Sequence, residues 1–178
     1  MKLEWRDVAI GDGPAISTSL TQAEADELRR LATGADVLEV GSAYGYSTVV
    51  IGQVANSVVA VDPHQELNSF GALLDNLAAY GVTSRCVVEM RRADSWTVLP
   101  ALRAGGRTFD LVWIDGDHSA HAVAHDVGLG RLLLREGGTL ACHDYGEDTC
   151  PGVAQALDQW KAPSRLVDTL AIYGPSEW

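Results

Sequence analysis

No apolar run in this chain approaches the roughly 20 residues needed to span a bilayer. The opening MKLEWRDVAIGDG carries acids and a tryptophan where a secretory leader would be basic and then apolar. The expectation is a cytoplasmic protein without a membrane partner. Basic residues are also few: 13 Lys and Arg stand against 24 Asp and Glu, a formal net charge of -11. A surface that negative repels phosphate backbones, so nucleic acid is not expected as a partner. Cysteine is scarce too. Cys86, Cys142 and Cys150 are odd in number, and two lie in apolar, strand-like stretches, so no disulfide framework is implied. Cys142, His143 and Cys150 match no common zinc spacing. Repeats, linkers and low-complexity tracts are absent as well.

What remains is ordinary globular composition, 47% hydrophobic and 21% charged over 178 residues, which suits a single domain over residues 1–178. The first twenty residues resist assignment beyond a GDGP turn at 11–14, and are expected to cap an edge or cover a site. From Thr21 the chain reads as a capped helix, with Glu24 three residues on, Leu28 and Leu31 in register and Gly34 as its stop. Short apolar runs at 36–40, 57–62, 86–90, 109–115 and 139–144 then alternate with helical periodicity at 46–54, 67–80, 94–104, 118–135 and 148–160. The tail at 165–174 holds one or two last strands. This alternation predicts an α/β fold, a parallel sheet with helices on both faces and right-handed crossovers.

In such a sheet a ligand lies beyond the carboxyl ends of the strands. The exits here bring Gly41, Asp62, the 92–95 turn, Asp115 and His143-Asp144 to one edge. The first turn, Glu39-Val40-Gly41-Ser42-Ala43-Tyr44-Gly45, is not G-x-G-x-x-G, because Ala43 and Tyr46 stand where the second and third glycines would be. A carboxylate ahead of the turn suits a cation better than a pyrophosphate, and S-adenosylmethionine carries an ammonium and a sulfonium. Asp62, 21 residues after Gly41, can accept from ribose hydroxyls. Asp94, Ser95 and Trp96 could hold the adenine by its amino group, a ring edge and a face. Plainer readings stand beside these: Glu39 held by local backbone donors, Asp62 as a cap ahead of Pro63, Asp94 and Ser95 as helix caps.

The segments LEVGSAYGYST, VAVDPH, ADSWTVLPAL, FDLVWIDGDHSAHAV and LLREGGTLACHDY, in this order, resemble the class I S-adenosylmethionine-dependent methyltransferases. More narrowly they are similar to the catechol O-methyltransferase-like enzymes and to bacterial O-methyltransferases of sugars and macrolides. The match spans about residues 21–173. The resemblance implies a Rossmann-like doubly wound seven-stranded sheet of order 3-2-1-4-5-7-6 with strand 7 antiparallel. It implies cofactor contacts at Glu39, Gly41, Tyr46, Ser47, Asp62, Ser95 and Asp115, beside Ser42, Ala43 and Gly45 of the turn itself.

Methyl transfer to oxygen needs the acceptor's proton removed. His118, three residues after Asp115, is suited to that near neutral pH. By position the resemblance makes Asp115 a metal ligand and His118 the general base. A plainer alternative has His118 at a helix start touching only the methionine moiety. His143-Asp144 would complete a Mg or Mn site, although a histidine there departs from the family's adjacent Asp, Glu or Asn. Without a metal, His118 and His143 could be bases and Asp144 an orienting group. His121 and His125 are expected at the surface or a homodimer interface, and Trp113 in the core. The expected acceptor is a hydroxyl of a small molecule, a glycoside or other bulky secondary metabolite. A hydroxylase-like or oxidoreductase-associated protein and a non-catalytic binding module are the alternatives.

Overall fold

The computed structural model describes residues 4–175. A hairpin of β1 (Arg6–Ala9) and β2 (Ala15–Thr18) comes first, as a two-stranded sheet of its own. Most of the segment left unassigned from sequence is therefore structured, and residues 1–3 of it lie outside the described residues. Tyr80, at the end of α3 (Ser69–Ala79), ties it down: its hydroxyl donates to the Pro14 carbonyl and accepts from Ile10 N–H at 3.0 Å. A Cβ on Gly13 would overlap the Tyr80 ring, so only glycine lets the hairpin loop seat there.

Helix α1 (Gln22–Ala32) opens with the expected capping box, Thr21 accepting from Glu24 N–H and Glu24 from Thr21 N–H. Then follow β3 (Asp36–Val40), α2 (Tyr46–Gly52), β4 (Ser57–Val61), α3, β5 (Val87–Arg91), α4 (Ser95–Ala104), β6 (Phe109–Ile114), α5 (Ala120–Leu133), β7 (Leu134–Cys142), α6 (Pro151–Leu157), β8 (Arg165–Val167) and β9 (Leu170–Tyr173). The sheet order is β5-β4-β3-β6-β7-β9-β8, which is the expected 3-2-1-4-5-7-6, and β9 runs antiparallel to β7.

Because strand side chains alternate between faces, the core divides in two. Val37 and Trp113 pack with α1 and α2, while Leu38, Val40 and Val112 pack with α4, α5 and α6. Trp113 is fully buried, as expected. Several boundaries differ from the sequence reading: α6 covers only Pro151–Leu157 of the expected 148–160, and both ends of α5 are displaced. Helix α5 ends at Leu133, and residues through Gly137-Gly138 already belong to β7, whose pairing with β6 is irregular between Phe109 and Leu111. At its start, Ser119 caps α5, so His118 lies ahead of the helix. Among the described residues no helix is long and apolar enough to cross a membrane. All three cysteines are free and buried.

Candidate active site

A cavity of about 820 Å³ opens at the carboxyl ends of β3, β4 and β6, within the range of small-molecule sites. Its floor is the turn after β3. Gly41 (φ 90) and Gly45 (φ 91) take left-handed conformations. A Cβ on Gly41 would overlap the Asp115 carbonyl and stand 2.8 Å from Gly116 Cα, so the β3 and β6 exits touch only because residue 41 has no side chain. Asp62 organises the turn: Oδ2 accepts from Ser42 N–H (2.9 Å) and Ala43 N–H (2.8 Å), and Oδ1 from His64 N–H (2.6 Å). Asp62 caps no helix, since α3 opens at Asn68, and it borders the cavity.

Glu39 corrects an expectation. It does not line the cavity; it is fully buried beneath the turn, accepting from Ser47 Oγ (2.5 Å) and Thr48 Oγ1 (2.7 Å) of α2. Burial pushes its carboxyl up to about 8, against the pull of those hydroxyls. At neutral pH it is uncharged and cannot itself seat an ammonium. Ser47 is turned toward Glu39, although it and Tyr46 border the cavity. Ser42 Oγ is buried without a hydrogen-bond partner and also borders it.

Asp94, Ser95 and Trp96 line one wall, with Asp94 also capping α4 by accepting from Thr97 N–H at 2.8 Å. Trp96 stacks on His125 (ring centroids 3.6 Å, 24°) and lies 4.8 Å from His121. His121 and His125 are thus partners of Trp96, a packing role the sequence reading did not give them, and they do not converge with His118. Asp126, which sequence reasoning missed, is buried, hydrogen-bonded to His125 Nδ1 (2.9 Å) and Ser95, and borders the same cavity. The opposite rim comes from the hairpin segment, through Trp5, Ser17 and Ser19, with Trp5 edge-on to Tyr44 at 6.0 Å.

At one edge of the cavity Asp115, His118, His143 and Asp144 do come together: Asp115 and His118 line it, whereas His143 and Asp144 are buried behind them and do not. His118 Nε2 is 3.0 Å from Asp144 Oδ2 and 3.9 Å from Asp115 Oδ1. His143 Nδ1 is 3.3 Å from Asp115 Oδ1 and 3.2 Å from Asp144 Oδ1, while its Nε2 faces Glu24 Oε2 at 3.2 Å. Glu24 is the second residue missed. Besides its capping bond it accepts from Thr169 N–H and Oγ1, fastening α1 and the β8–β9 turn to His143. Asp115 and Asp144 raise His118 to about 10, over the opposing effect of burial. Burial pushes Asp144 up, but His118 and His143 outweigh it and hold the carboxyl well below its usual range.

His143 Nδ1 and both Asp144 oxygens are buried without directed hydrogen bonds, although they stand this close. Asp115, His143 and Asp144 offer ligand atoms within 4.8 Å of one another. With Glu24 behind Nε2, His143 has the carboxylate-oriented arrangement common to metal-bound histidines. The set fits a divalent ion.

The family model described as Methyltransferase domain matches residues 38–145, more than half of the chain. A curated relative, protein-L-isoaspartate O-methyltransferase 2 of Shewanella sediminis (strain HAW-EB3), is 36% identical over 78 residues, 43% of this chain. The chain spans about a third of that relative's length, 32%. Among solved structures, the O-methyltransferase TomG of Streptomyces achromogenes, involved in tomaymycin synthesis and in complex with SAM, superposes with a TM-score of 0.62 at 19% identity, over 79% of this chain and 69% of that one. An O-methyltransferase of Bacillus cereus in complex with SAH gives 0.63 at 16% identity over 79% and 70%. CalS11, a TDP-rhamnose 3'-O-methyltransferase of calicheamicin biosynthesis, gives 0.62 at 16% identity over 84% and 76%. These structures share the fold.

Proposed function

The chain belongs to the methyltransferase-domain family, and from that premise we propose that it moves the methyl group of S-adenosylmethionine to a hydroxyl oxygen of a small molecule, with His118 taking the proton. The observation that carries this reading is the meeting, in one cavity, of the Gly41 turn, Asp62 and the Asp94–Trp96 wall with the Asp115–His118 end. When bound, S-adenosylmethionine supplies an electrophilic methyl carbon, and its sulfur keeps the electron pair of the broken C–S bond.

The chain's own residues do the rest. Asp62 and Ser42, whose Oγ has no hydrogen-bond partner, would hold the ribose and methionine portions, and Ser95 and Trp96 would face the adenine. His118, at the cavity's edge, stands where an acceptor hydroxyl can reach it. With Asp115 and Asp144 beside it, His118 carries a proton in the free protein. It becomes a base once positive charge offsets those carboxylates, as a sulfonium or a divalent ion does. Asp115, His143 and Asp144 would hold such an ion, Mg or Mn, which would lower the pKa of the acceptor hydroxyl.

Charge narrows the acceptor. Among the described residues no Lys or Arg lines the cavity, whereas Asp62, Glu66, Asp94, Asp115, Asp117 and Asp126 do. A phosphorylated or carboxylated acceptor would enter against that field, so the reading favours a neutral or amine-bearing hydroxyl compound, such as a glycoside. Trp5 offers such a ring an apolar face, and Ser17 and Ser19 offer hydroxyls. A screen of neutral, amine-bearing and phosphorylated hydroxyl compounds, with transfer of the labelled methyl group from S-adenosylmethionine as readout, tests this. Labelled methyl ethers from neutral or amine-bearing acceptors support it. Label transferred only to phosphorylated compounds would overturn the acceptor assignment, and none at all the transfer reading.

A further inference from the structure

Cys150 stands beside the His118–Asp144 pair, and the transfer chemistry above has no use for it. Its position is built by the loop after β7. Glu147 N–H donates to the Asp144 carbonyl (3.2 Å) and Cys150 N–H to the Glu147 carbonyl (3.0 Å), so the chain doubles back on itself. The start of α6 then presses against the segment ahead of α5: a Cβ on Gly152 would stand 2.6 Å from Ala120 N and overlap the His118 carbonyl. This glycine allows the close approach that brings residue 150 to His118.

His118, Asp144 and Cys150 offer ligand atoms within 4.8 Å of one another, and Asp144 and Cys150 are buried. Asp144 faces two ways, Oδ1 toward His143 and Oδ2 toward His118. Neither oxygen is hydrogen-bonded, nor is His118 Nε2, despite their 3.0 Å separation. Asp144 also holds a left-handed backbone (φ 61), which is strained for a residue with a Cβ and persists only where its surroundings impose it. A buried carboxylate held in that backbone, each oxygen facing one imidazole without an aligned hydrogen bond, is the arrangement of a bridging ligand.

The geometry points to a second cation site at His118, Asp144 and Cys150, which takes zinc and rejects magnesium. Imidazole, carboxylate and thiolate are zinc's characteristic donors, whereas magnesium demands oxygen. On binding, the Cys150 S–H proton and the His118 Nε2 proton leave to solvent, and the freed lone pairs go to the ion. His118 is partly exposed at the cavity, which gives the ion its path in. The consequence rests on the proposed function: zinc held by Nε2 leaves the ring's one proton on Nδ1, so His118 can no longer take the acceptor's proton, and transfer is silenced.

The test uses the full chain, reduced and freed of metal by chelator, titrated with Co²⁺ as a spectroscopic stand-in for zinc. The expected result is a near-ultraviolet thiolate-to-cobalt charge-transfer band that Zn²⁺ displaces and excess Mg²⁺ does not. C150S abolishes the band and weakens zinc binding by at least about 10-fold. H118Q keeps the thiol and also weakens zinc binding, which carries the test should C150S fold poorly. Absence of the band in the folded wild type, its survival in C150S, or its displacement by Mg²⁺ would each overturn the site. None of these readouts needs turnover. Zinc inhibition of transfer that C150S relieves supports the regulatory consequence, and equal inhibition of C150S overturns that consequence alone.

Discussion

Replacing Glu39 with glutamine separates a buried, neutral strut from a charged seat for the ligand. In the unfolded chain the carboxyl ionises near 4.5, and in the fold it keeps its proton up to about 8. Between those values the folded protein binds a proton that the unfolded chain has released. Stability therefore falls as pH rises, by about 1.4 kcal/mol per pH unit, and the loss ends above about 8. By pH 7 it amounts to about 3 kcal/mol. E39Q has the same shape, can meet the Ser47 and Thr48 hydroxyls and does not ionise. Its stability relative to wild type should thus improve by about 3 kcal/mol between pH 4.5 and pH 7, read from urea unfolding at each pH. Because the carboxyl lies beneath the turn, affinity for S-adenosylhomocysteine should change by less than about 3-fold. Parallel stability-pH curves would refute the buried neutral carboxyl. A loss of affinity beyond about 10-fold, or about 1.4 kcal/mol, would restore Glu39 as a ligand contact.

Further outcomes follow from the same geometry. Gly41→Ala combines a left-handed backbone with overlap on the Asp115 carbonyl. It should cost about 2–5 kcal/mol in urea unfolding, and a loss under about 0.5 kcal/mol would mean that the β3 and β6 exits do not need this contact. His118→Gln should lower methyl transfer by about 10²–10⁴-fold while titration shows cofactor affinity within about 3-fold of wild type. Equal loss of both would make His118 a cofactor residue. Glu24→Ala leaves the buried His143 Nε2 without its carboxylate partner and frees the Thr169 bonds. Unfolding should show a loss of about 3–5 kcal/mol, far above that of an ordinary capping residue.

The strand exits were legible because β3, β4, β6 and β7 are apolar runs followed by Gly41, Asp62, Asp115 and His143-Asp144, and that pattern alone places these residues at one edge. Glu39 was misplaced by reading it as the residue before a ligand turn. Side-chain alternation along β3 puts it on the face of Val37, under α2, and the hydroxyls of Ser47 and Thr48 were the available signal. Glu24 was read correctly as a capping residue, but an exposed capping glutamate and a buried one look the same in sequence. Its link to His143 and Thr169 is made by contacts more than a hundred residues apart along the chain. Asp126 was hidden for a similar reason, sitting mid-helix among residues that read as surface. The hairpin at 6–18 is too short for periodicity to register, and its seat on Tyr80 is long-range.

The account turns on the cavity being an S-adenosylmethionine site, and calorimetric titration of the metal-free full chain with S-adenosylhomocysteine tests that most directly. Binding of one molecule per chain, weakened by at least about 10-fold in Asp62→Ala, is the predicted result. A folded chain that takes up neither S-adenosylhomocysteine nor S-adenosylmethionine, or that binds them equally well with and without the Asp62 carboxylate, would contradict it.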